Sequence, residues 1–159
     1  DKVGINTAAV QNPTLIREIA DTFGCQCAVV AIDARAQSGG WEVVTHAGSR
    51  ATGLSAIDWA KQASDLGAGE ILLTSWDRDG TASGYDVELI AHVCSQVKVP
   101  VIASGGASRA EHMADALKAG ASAVLAASIF HDRQTTVQNI KRELARLGFF
   151  MRLPNGEQG

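Results

Sequence analysis

The stretch Glu70-Ile71-Leu72-Leu73-Thr74-Ser75-Trp76-Asp77-Arg78-Asp79-Gly80 passes from a continuous apolar run into a polar segment that contains a glycine. A short apolar run without alternation is typical of a strand that is covered on both faces, as in a parallel sheet. The polar residues after it predict a loop at the carboxyl end of that strand. We therefore expect a buried strand at Glu70–Thr74, followed by a loop of the kind that carries functional groups.

The same order of elements recurs on both sides of this stretch. Four further apolar runs are associated with polar or glycine-rich turns and with amphipathic helical patterns. This alternation predicts βα units around a parallel sheet. The four runs are Val3–Ile5, Ala28–Ile32, Val99–Ala103 and Ala121–Ala127.

Residues that start and end helices lie between these runs. The pair Asn12-Pro13 predicts a helix start, and Gly24 predicts the end of the same helix. Ser55 predicts a second start. The segment Ser108–Glu111 forms a capping box, in which the serine and the glutamate satisfy backbone N–H groups of the first turn.

The segment Trp41–Thr45 departs from this pattern. It lies between the turn residues Ser38-Gly39-Gly40 and Ala47-Gly48. These features predict a small β-hairpin in the loop after the second strand. Long loops at that end of a barrel commonly carry function.

The strand count defines the expected fold class. Five parallel βα units are fewer than the eight of a closed (βα)8 TIM barrel, which typically has about 250 residues. We therefore expect an α/β fold that forms part of such a barrel, with the partial barrel in residues 1–153 and a flexible tail in residues 154–159. Two open sheet edges predict an incomplete chain, a missing partner or self-association that covers the edges.

Composition and charge exclude several classes of protein. The 159 residues are 46% hydrophobic and 19% charged, with a net charge of −3, as in an ordinary soluble globular protein. No basic stretch suggests nucleic-acid binding, and no apolar run approaches the roughly 18 residues that span a membrane. The odd number of cysteines, three, predicts a reducing compartment and hence a cytoplasmic protein.

The cysteines and histidines predict no metal site, and no cofactor is expected. Cys25 and Cys27 lie at a helix-to-strand junction, where we expect buried thiols rather than ligands. The four histidines show no ligand spacing; they are His46, His92, His112 and His131.

In a barrel of this kind the functional groups lie at the carboxyl ends of the strands. Every predicted strand end carries polar or small residues, which a purely structural barrel would not need at all five places. They are Asn6-Thr7, Asp33, Thr74-Ser75 with Asp77 and Asp79-Gly80, Ser104-Gly105-Gly106, and Ala127-Ser128.

The turns Ser104-Gly105-Gly106 and Ala127-Ser128 follow the last two strands. Glycine allows the backbone to approach a ligand closely, and backbone amides before a helix attract anions. The loops after the last two strands are also the usual phosphate site of this fold. We therefore expect a phosphate to bind here; the alternative is that the glycines only make tight turns.

Two acidic features have more than one interpretation. Asp33, after the run Ala28–Ile32, is placed either to act as a general acid or base, if its pKa is tuned, or to cap a turn. The segment Asp77-Arg78-Asp79-Gly80-Thr81 has the composition of a calcium loop. It lacks the later carboxylate of an EF-hand, so an active-site loop is the better interpretation.

At these residues the sequence resembles a known family, the cyclase subunit of imidazole glycerol phosphate synthase. The resemblance runs from residue 1 to about residue 153 and begins at the fourth strand of the family's barrel. Seven motifs occur in the family's order. They are Lys2–Ala9, Val29–Asp33, Gly69–Ser75, Asp77–Thr81, Gly84–Asp86, Ile102–Gly106 and Ala126–His131.

The resemblance implies a lyase of histidine biosynthesis. That family adds ammonia to a ribulosyl-formimino aminoimidazole carboxamide ribonucleotide that carries two phosphates, and closes the imidazole ring. The products are imidazole glycerol phosphate and aminoimidazole carboxamide ribotide. The ammonia comes from a glutaminase partner that docks on the opposite, N-terminal face of the barrel.

The resemblance also implies roles for single residues. Asp33 corresponds to one of the family's two catalytic aspartates, the one usually described as the general acid, and Thr74 lines the pocket. Lys2 and Glu70 correspond to two of the four charged residues around the ammonia entrance, where an ordinary salt bridge is the alternative. Asn6 and Thr7 match part of the first phosphate site, and Asp79, Gly80, Gly106, Ala127 and Ser128 match the second.

The first three βα units of the family are absent from this sequence, and with them the second catalytic aspartate. A general acid or base typically contributes about 100-fold or more to a rate, so little activity is expected of the chain alone. Two alternatives stay open: a phosphate-binding half-barrel scaffold without catalysis, and the sister phosphoribosyl isomerase. The Thr74–Thr81 run and the Lys2–Glu70 pair favour the cyclase over the isomerase.

Overall fold

The computed structural model of the chain describes residues 1–152. The predicted flexible tail, residues 154–159, therefore lies outside the described residues, as does residue 153. Within residues 1–152, no helix is both long and apolar enough to cross a membrane.

Strands and helices alternate along the chain, as the sequence predicts. The strands are β1 Val3–Ile5, β2 Ala28–Gln37, β3 Gly40–Thr45, β4 Arg50–Ser55, β5 Glu70–Ser75, β6 Val101–Ser104 and β7 Ala123–Val124. The α-helices are α1 Thr7–Gln11, α2 Thr14–Phe23, α3 Ala56–Asp65, α4 Val87–Gln96, α5 Ala110–Lys118, α6 Ser128–His131 and α7 Val137–Arg146. A 3₁₀ turn occupies Cys25–Cys27.

Five of the strands form a parallel sheet in the order β1, β2, β5, β6, β7. Each connection between neighbouring strands of this sheet contains at least one helix. The order in space is therefore the order in sequence, which is the arrangement of a (βα)8 barrel. The predicted fold class, an α/β partial barrel, is confirmed.

The sheet has two faces because successive side chains of a strand point to opposite sides. One face packs against the helices; its residues Val30, Ile32, Ile71 and Leu73 are fully buried or nearly so. The alternate residues Ala31, Leu72 and Ile102 are only half-buried and share the other side, which we call the open face.

The predicted hairpin is confirmed, and it extends β2. β3 pairs antiparallel with the far half of β2, from Asp33↔Val44 to Gln37↔Gly40, and β4 pairs antiparallel with β3. The prediction that the second strand ends at Ile32 is therefore wrong. Its backbone continues in ladder hydrogen bonds with β3 after the parallel neighbour β5 has ended.

The helix boundaries follow the sequence in part. Gly24, with φ +90°, ends α2, and the side chain of Ser55 accepts a hydrogen bond from the N–H of Asp58 at the start of α3. The capping box at Ser108–Glu111 is wrong. Arg109 is the N-cap of α5, and Ser108 Oγ instead donates to the carbonyl of Ala82 at 2.9 Å.

Two further local predictions are wrong. Cys25 is exposed and Cys27 is half-buried, because the 3₁₀ turn that carries them lies at the surface. The last strand is only Ala123–Val124 rather than Ala121–Ala127, since β7 has a single paired neighbour, β6, over two positions.

Candidate functional site

Four polar side chains lie in one row across the open face, near the end of the parallel sheet at which its strands finish. Asp33 of β2 is in register with Thr74 of β5, and Thr74 is in register with Ser104 of β6. Asn6, the residue after β1, completes the row, because its Nδ2 donates a hydrogen bond of 2.9 Å to Oδ2 of Asp33. We call these four residues the polar row.

The environment of Asp33 favours its protonated form. Burial raises the pKa of the Asp33 carboxyl above its ordinary value; the hydrogen bond from Asn6 opposes this rise, and the negative charge of Asp79 adds to it. Asp33 lies within β2, so the alternative of a turn cap does not describe it. A carboxyl with a raised pKa keeps its proton to higher pH, which suits a general acid.

A cleft of about 280 Å³ opens beside the polar row, between the loops that follow β5, β6 and β7. We call it the strand-end cleft. All of the residues that the sequence predicts at the second phosphate site line it, together with Ser104 and Gly105 from the same turn. They are Asp79, Gly80, Ser104, Gly105, Gly106, Ala127 and Ser128.

Gly105 and Gly106 of the strand-end cleft are required by the loops themselves. Gly105 and Gly106 have φ values of +94° and +95°, and a Cβ on Gly105 would lie 2.8 Å from the carbonyl oxygen of Ser75. A Cβ on Gly106 would overlap the carbonyl oxygen of Gly84, whose N–H donates to the carbonyl of Gly106 at 2.8 Å. Tight packing therefore accounts for both glycines, and it draws the loop after β5 over the end of β6.

Two residues of the cleft lining also carry backbone donors. Among residues 1–152, the N–H groups of Gly106 and Ser128 donate no backbone hydrogen bond. Groups of this kind at a polar cleft are available to an anion. The cleft therefore combines space with backbone donors on two of its residues, which are features that the predicted phosphate site requires.

The loop after β5 is tied to the hairpin. The N–H of Ala36 donates to Oδ2 of Asp77 at 2.6 Å, and Nε1 of Trp41 donates to Oδ2 of Asp86 at 2.8 Å. The side chain of Asp77 thus anchors the loop, while Asp79 in the same loop lines the strand-end cleft. The prediction of an active-site loop is consistent with this division of roles.

Thr7 lies on the other side of Asp33 from the strand-end cleft. Its Oγ1 accepts a hydrogen bond of 3.3 Å from the N–H of His46, in the turn of the hairpin. Neither Asn6 nor Thr7 lines the strand-end cleft. The two predicted phosphate positions therefore flank Asp33, one toward β1 and one toward β7.

Lys2 and Glu70 form an ion pair at the opposite end of the sheet. Glu70 precedes Thr74 by four residues on β5, which places it about 13 Å from the polar row at roughly 3.3 Å per residue. The structure shows that Lys2 and Glu70 form a salt bridge, which is the simpler of the two interpretations of the sequence. The pair lies at the amino ends of the strands, which is also where the second interpretation, a part of the ammonia entrance, would place it.

Sequence reasoning missed a second ion pair at the carboxyl end of the open face. Arg35 lies two residues after Asp33 on β2, and its Nη2 is 3.4 Å from Oε2 of Glu42 on β3. Because Asp33 and Arg35 are two residues apart, a strand that continued through both would place them on the same face. The sequence prediction missed Arg35 because it ended the strand at Ile32.

Two further depressions lie outside this site on the described residues. One, of about 280 Å³, is lined by Arg78, Asp86 and His112 near the starts of α4 and α5. The other, of about 530 Å³, is largely apolar and includes Val124 and Ile140, beside β7. Within residues 1–152, no group of three or more His, Cys, Asp or Glu side chains is placed to hold a metal ion.

Comparison with known proteins gives a family for the chain. The family model described as histidine biosynthesis protein matches residues 1–136. A curated relative from Pyrobaculum aerophilum, named imidazole glycerol phosphate synthase subunit HisF, is 56% identical over 153 residues. Relatives of the same name from Mycobacteroides abscessus and Streptomyces avermitilis are 51% identical over 159 residues and 54% identical over 149 residues.

The matches cover nearly all of this chain but not all of the relatives. They include 96%, 96% and 93% of the chain, and 60%, 62% and 59% of the three relatives in the same order. The chain thus spans about 60% of the length of the curated relatives that it matches.

Proposed function

The chain belongs to the histidine biosynthesis protein family, and we propose that its protein is the ammonia-using cyclase of imidazole glycerol phosphate synthase. The proposed substrate is the bisphosphorylated formimino aminoimidazole carboxamide ribonucleotide. The proposed products are imidazole glycerol phosphate and aminoimidazole carboxamide ribotide. The observation that carries the proposal is the polar row, with a half-buried carboxyl between Asn6 on one side and the strand-end cleft on the other.

Asp33 is the proposed general acid. Addition of ammonia, elimination and ring closure each need protons to be delivered and removed, and a carboxyl with a raised pKa is suited to delivery. A second carboxylate, supplied from elsewhere than the strands described here, completes the acid–base pair. For this reason we propose that the 159-residue chain alone turns over little substrate.

The two phosphates of the substrate bind on either side of Asp33. One lies in the strand-end cleft, near the backbone donors of Gly106 and Ser128. The other lies at Asn6 and Thr7. Because the two positions flank the carboxyl, a substrate with a phosphate at each end would present its middle, where the chemistry occurs, to Asp33.

The proposed ammonia source is a glutaminase subunit on the amino-terminal face of the sheet. The relatives are named as subunits, and the Lys2–Glu70 ion pair lies on that face. We propose that this pair lines the route by which ammonia enters. No cofactor is part of the proposal, and the proposed location is the cytoplasm.

The test is ammonia-dependent formation of imidazole glycerol phosphate by the protein in which this chain is joined by the second carboxylate. The variants Asp33→Asn and Asp65→Asn are compared in that protein. We expect Asp33→Asn to lower kcat by about 100-fold or more, since the carboxyl proton is lost. Asp65 is exposed at the end of α3 and serves as the matched control. Equal activity of the two variants would contradict the role of Asp33.

A binding measurement separates catalysis from scaffold. Inorganic phosphate should bind to the purified chain, and Ser128→Asp should abolish that binding, whereas Ser38→Asp at an exposed turn should not. Phosphate binding without cyclase activity in the protein would favour a non-catalytic scaffold. Aminoaldose-to-aminoketose isomerisation would instead favour the sister isomerase.

A further inference from the structure

Asn6 has an unequal set of contacts. Its Nδ2 donates to Oδ2 of Asp33 at 2.9 Å, and the two residues are 27 positions apart in the sequence. Its Oδ1 is buried and has no hydrogen-bond partner among residues 1–152. A buried acceptor without a partner is costly and calls for an explanation.

We infer that Asn6 is a positioning residue for Asp33, and that its side-chain amide pairs with the Asp33 carboxyl in both protonation states. The inference rests on the proposed function, because it assigns Asn6 to the proton delivery proposed for Asp33. It gives Asn6 a role beyond contact with a phosphate.

The chemistry of the two groups allows this pairing. An ionised carboxylate only accepts hydrogen bonds, whereas a protonated carboxyl also donates one. An amide has one donor end and one acceptor end of nearly the same size and shape. A half-turn of the Asn6 amide would therefore replace the Nδ2 donor with the Oδ1 acceptor at Asp33, without a change in packing.

The other groups around Asp33 do not form this hydrogen bond with its carboxyl. Asp79 faces it from the loop after β5 and adds only negative charge. Arg35, on the same strand, is paired with Glu42 of β3. The neighbour across β5 is the neutral Thr74. Within residues 1–152, Asn6 is the side chain that hydrogen-bonds the Asp33 carboxyl.

The test is the titration of Asp33 itself, followed by ¹³C NMR of aspartate-labelled chain, with Asp33→Asn used to assign its signal. Asn6→Leu keeps the size of the side chain but removes donor and acceptor. We expect the pKa of Asp33 to rise in this variant. The bond that the amide donates to the charged carboxylate is stronger than the one that it accepts from the neutral carboxyl, so its loss destabilises the ionised form more. Gln11→Leu, an amide replaced at an exposed position of α1, should leave the titration unchanged.

A second variant covers the case in which Asn6→Leu does not fold. Asn6→Asp places a second carboxyl beside Asp33, so the two should share a proton and titrate in two separated steps. A titration of Asp33 that is unchanged in every folded variant at position 6 would overturn the inference.

Kinetics give a readout that a merely structural role would not move. In the active protein, Asn6→Leu should lower kcat by about 10- to 100-fold. It should also move the alkaline limb of the kcat–pH profile to higher pH, since an acid with a higher pKa keeps its proton longer. A rise in KM alone, with kcat and the pH profile unchanged, would mean that Asn6 serves only the phosphate and would overturn the inference.

The two proposals fail in different ways. Absence of cyclase activity in the unaltered protein, with a shifted titration in Asn6→Leu, would contradict the proposed function and support the pairing. Cyclase activity with an unshifted titration would support the function and overturn the pairing.

Discussion

The indole of Trp76 occupies the space into which a side chain on Gly48 would project. Trp76 is the first residue after β5, and Gly48 is buried in the turn between β3 and β4 with φ +78°. The contact joins the hairpin to the loop that carries Asp79. Together with the Ala36–Asp77 and Trp41–Asp86 hydrogen bonds, it makes the hairpin a support for one wall of the candidate site.

Gly48→Ala should destabilise the protein through this contact. The new Cβ would overlap the Trp76 indole, and alanine is strained at positive φ, so we expect a loss of about 2–4 kcal/mol in the free energy of unfolding. Urea unfolding followed by circular dichroism measures this loss. Gly39→Ala is the matched control: Gly39 has φ +89° and nothing within 4 Å of its Cβ position, so only the backbone strain applies.

Trp76→Ala in the Gly48→Ala background isolates the clash. Because the indole is removed, the double variant should lose less stability than the sum of the two single variants. Equal losses for Gly48→Ala and Gly39→Ala would show that the contact does not constrain the turn.

Asp86 has two structural roles that can be separated by mutation. Its Oδ2 accepts from Nε1 of Trp41, and its Oδ1 accepts from the N–H of Leu89 at 3.0 Å as the N-cap of α4. Trp41→Phe removes the first bond and should cost about 1–3 kcal/mol. Asp86→Ala removes both and should cost about 1 kcal/mol more.

The free energies of unfolding of these variants, measured by heat or urea, test whether Asp86 has these two separate roles. Glu88→Ala, at an exposed position in the first turn of the same helix, should change stability by no more than about 0.5 kcal/mol. If Asp86→Ala proved no more harmful than Trp41→Phe, the capping role would be refuted.

Asp33 should make stability depend on pH in an unusual direction for an aspartate. Its pKa in the folded protein is raised, chiefly by burial. Between the unfolded and the folded pKa the native state binds more protons, so stability falls as pH rises through that window and stays lower above it. Asp33→Asn should remove this fall and be more stable than the unaltered protein at neutral pH.

Urea midpoints measured across acidic and neutral pH test the sign. Asp65→Asn provides the comparison, since that side chain is exposed. An Asp33→Asn protein that is less stable than the unaltered protein at neutral pH would contradict the destabilising effect of the ionised carboxyl.

The purified chain should self-associate. Among residues 1–152, β1 and β7 each pair with one other strand, and Val3 on β1 is 49% exposed. Open strand edges with apolar side chains favour pairing with another chain. We expect light scattering to show a dimer or larger species that dissociates on dilution.

A charge at the edge should weaken this association. Val3→Lys places it on β1, whereas Phe23→Lys changes an exposed apolar residue on the helix α2, which is not part of the sheet. A monomer at all concentrations, or equal effects of the two variants, would contradict the role of the sheet edge.

The order and type of elements could be predicted from local sequence. The continuous apolar runs at Ala28–Ile32 and Glu70–Thr74 form neighbouring parallel strands. They could be predicted because the apolar character and the two-residue repeat of a strand can be read from a few consecutive residues. The residues at the strand-end cleft could also be selected, since parallel strands place their carboxyl ends at one edge. Knowing that each of these residues follows a predicted strand was enough to predict that they lie close together.

Contacts between distant residues could not be predicted in the same way. The sequence placed a capping box at Ser108, but its hydroxyl is engaged by the carbonyl of Ala82 on another loop. The hydrogen bond from Asn6 to Asp33 spans 27 positions, and that from Trp41 to Asp86 spans 45. These pairings depend on strand register and on how the hairpin folds over the loop after β5, which no local pattern encodes.

The raised pKa of Asp33 shows the same division. The sequence places an aspartate after an apolar strand, and this alone leaves a turn cap and a general acid equally open. The tertiary structure extends β2 past Asp33, half-buries the carboxyl and brings Asn6 and Asp79 to it. Desolvation and neighbouring charge determine the pKa of the Asp33 carboxyl. Both arise only when residues that are far apart in the chain pack together.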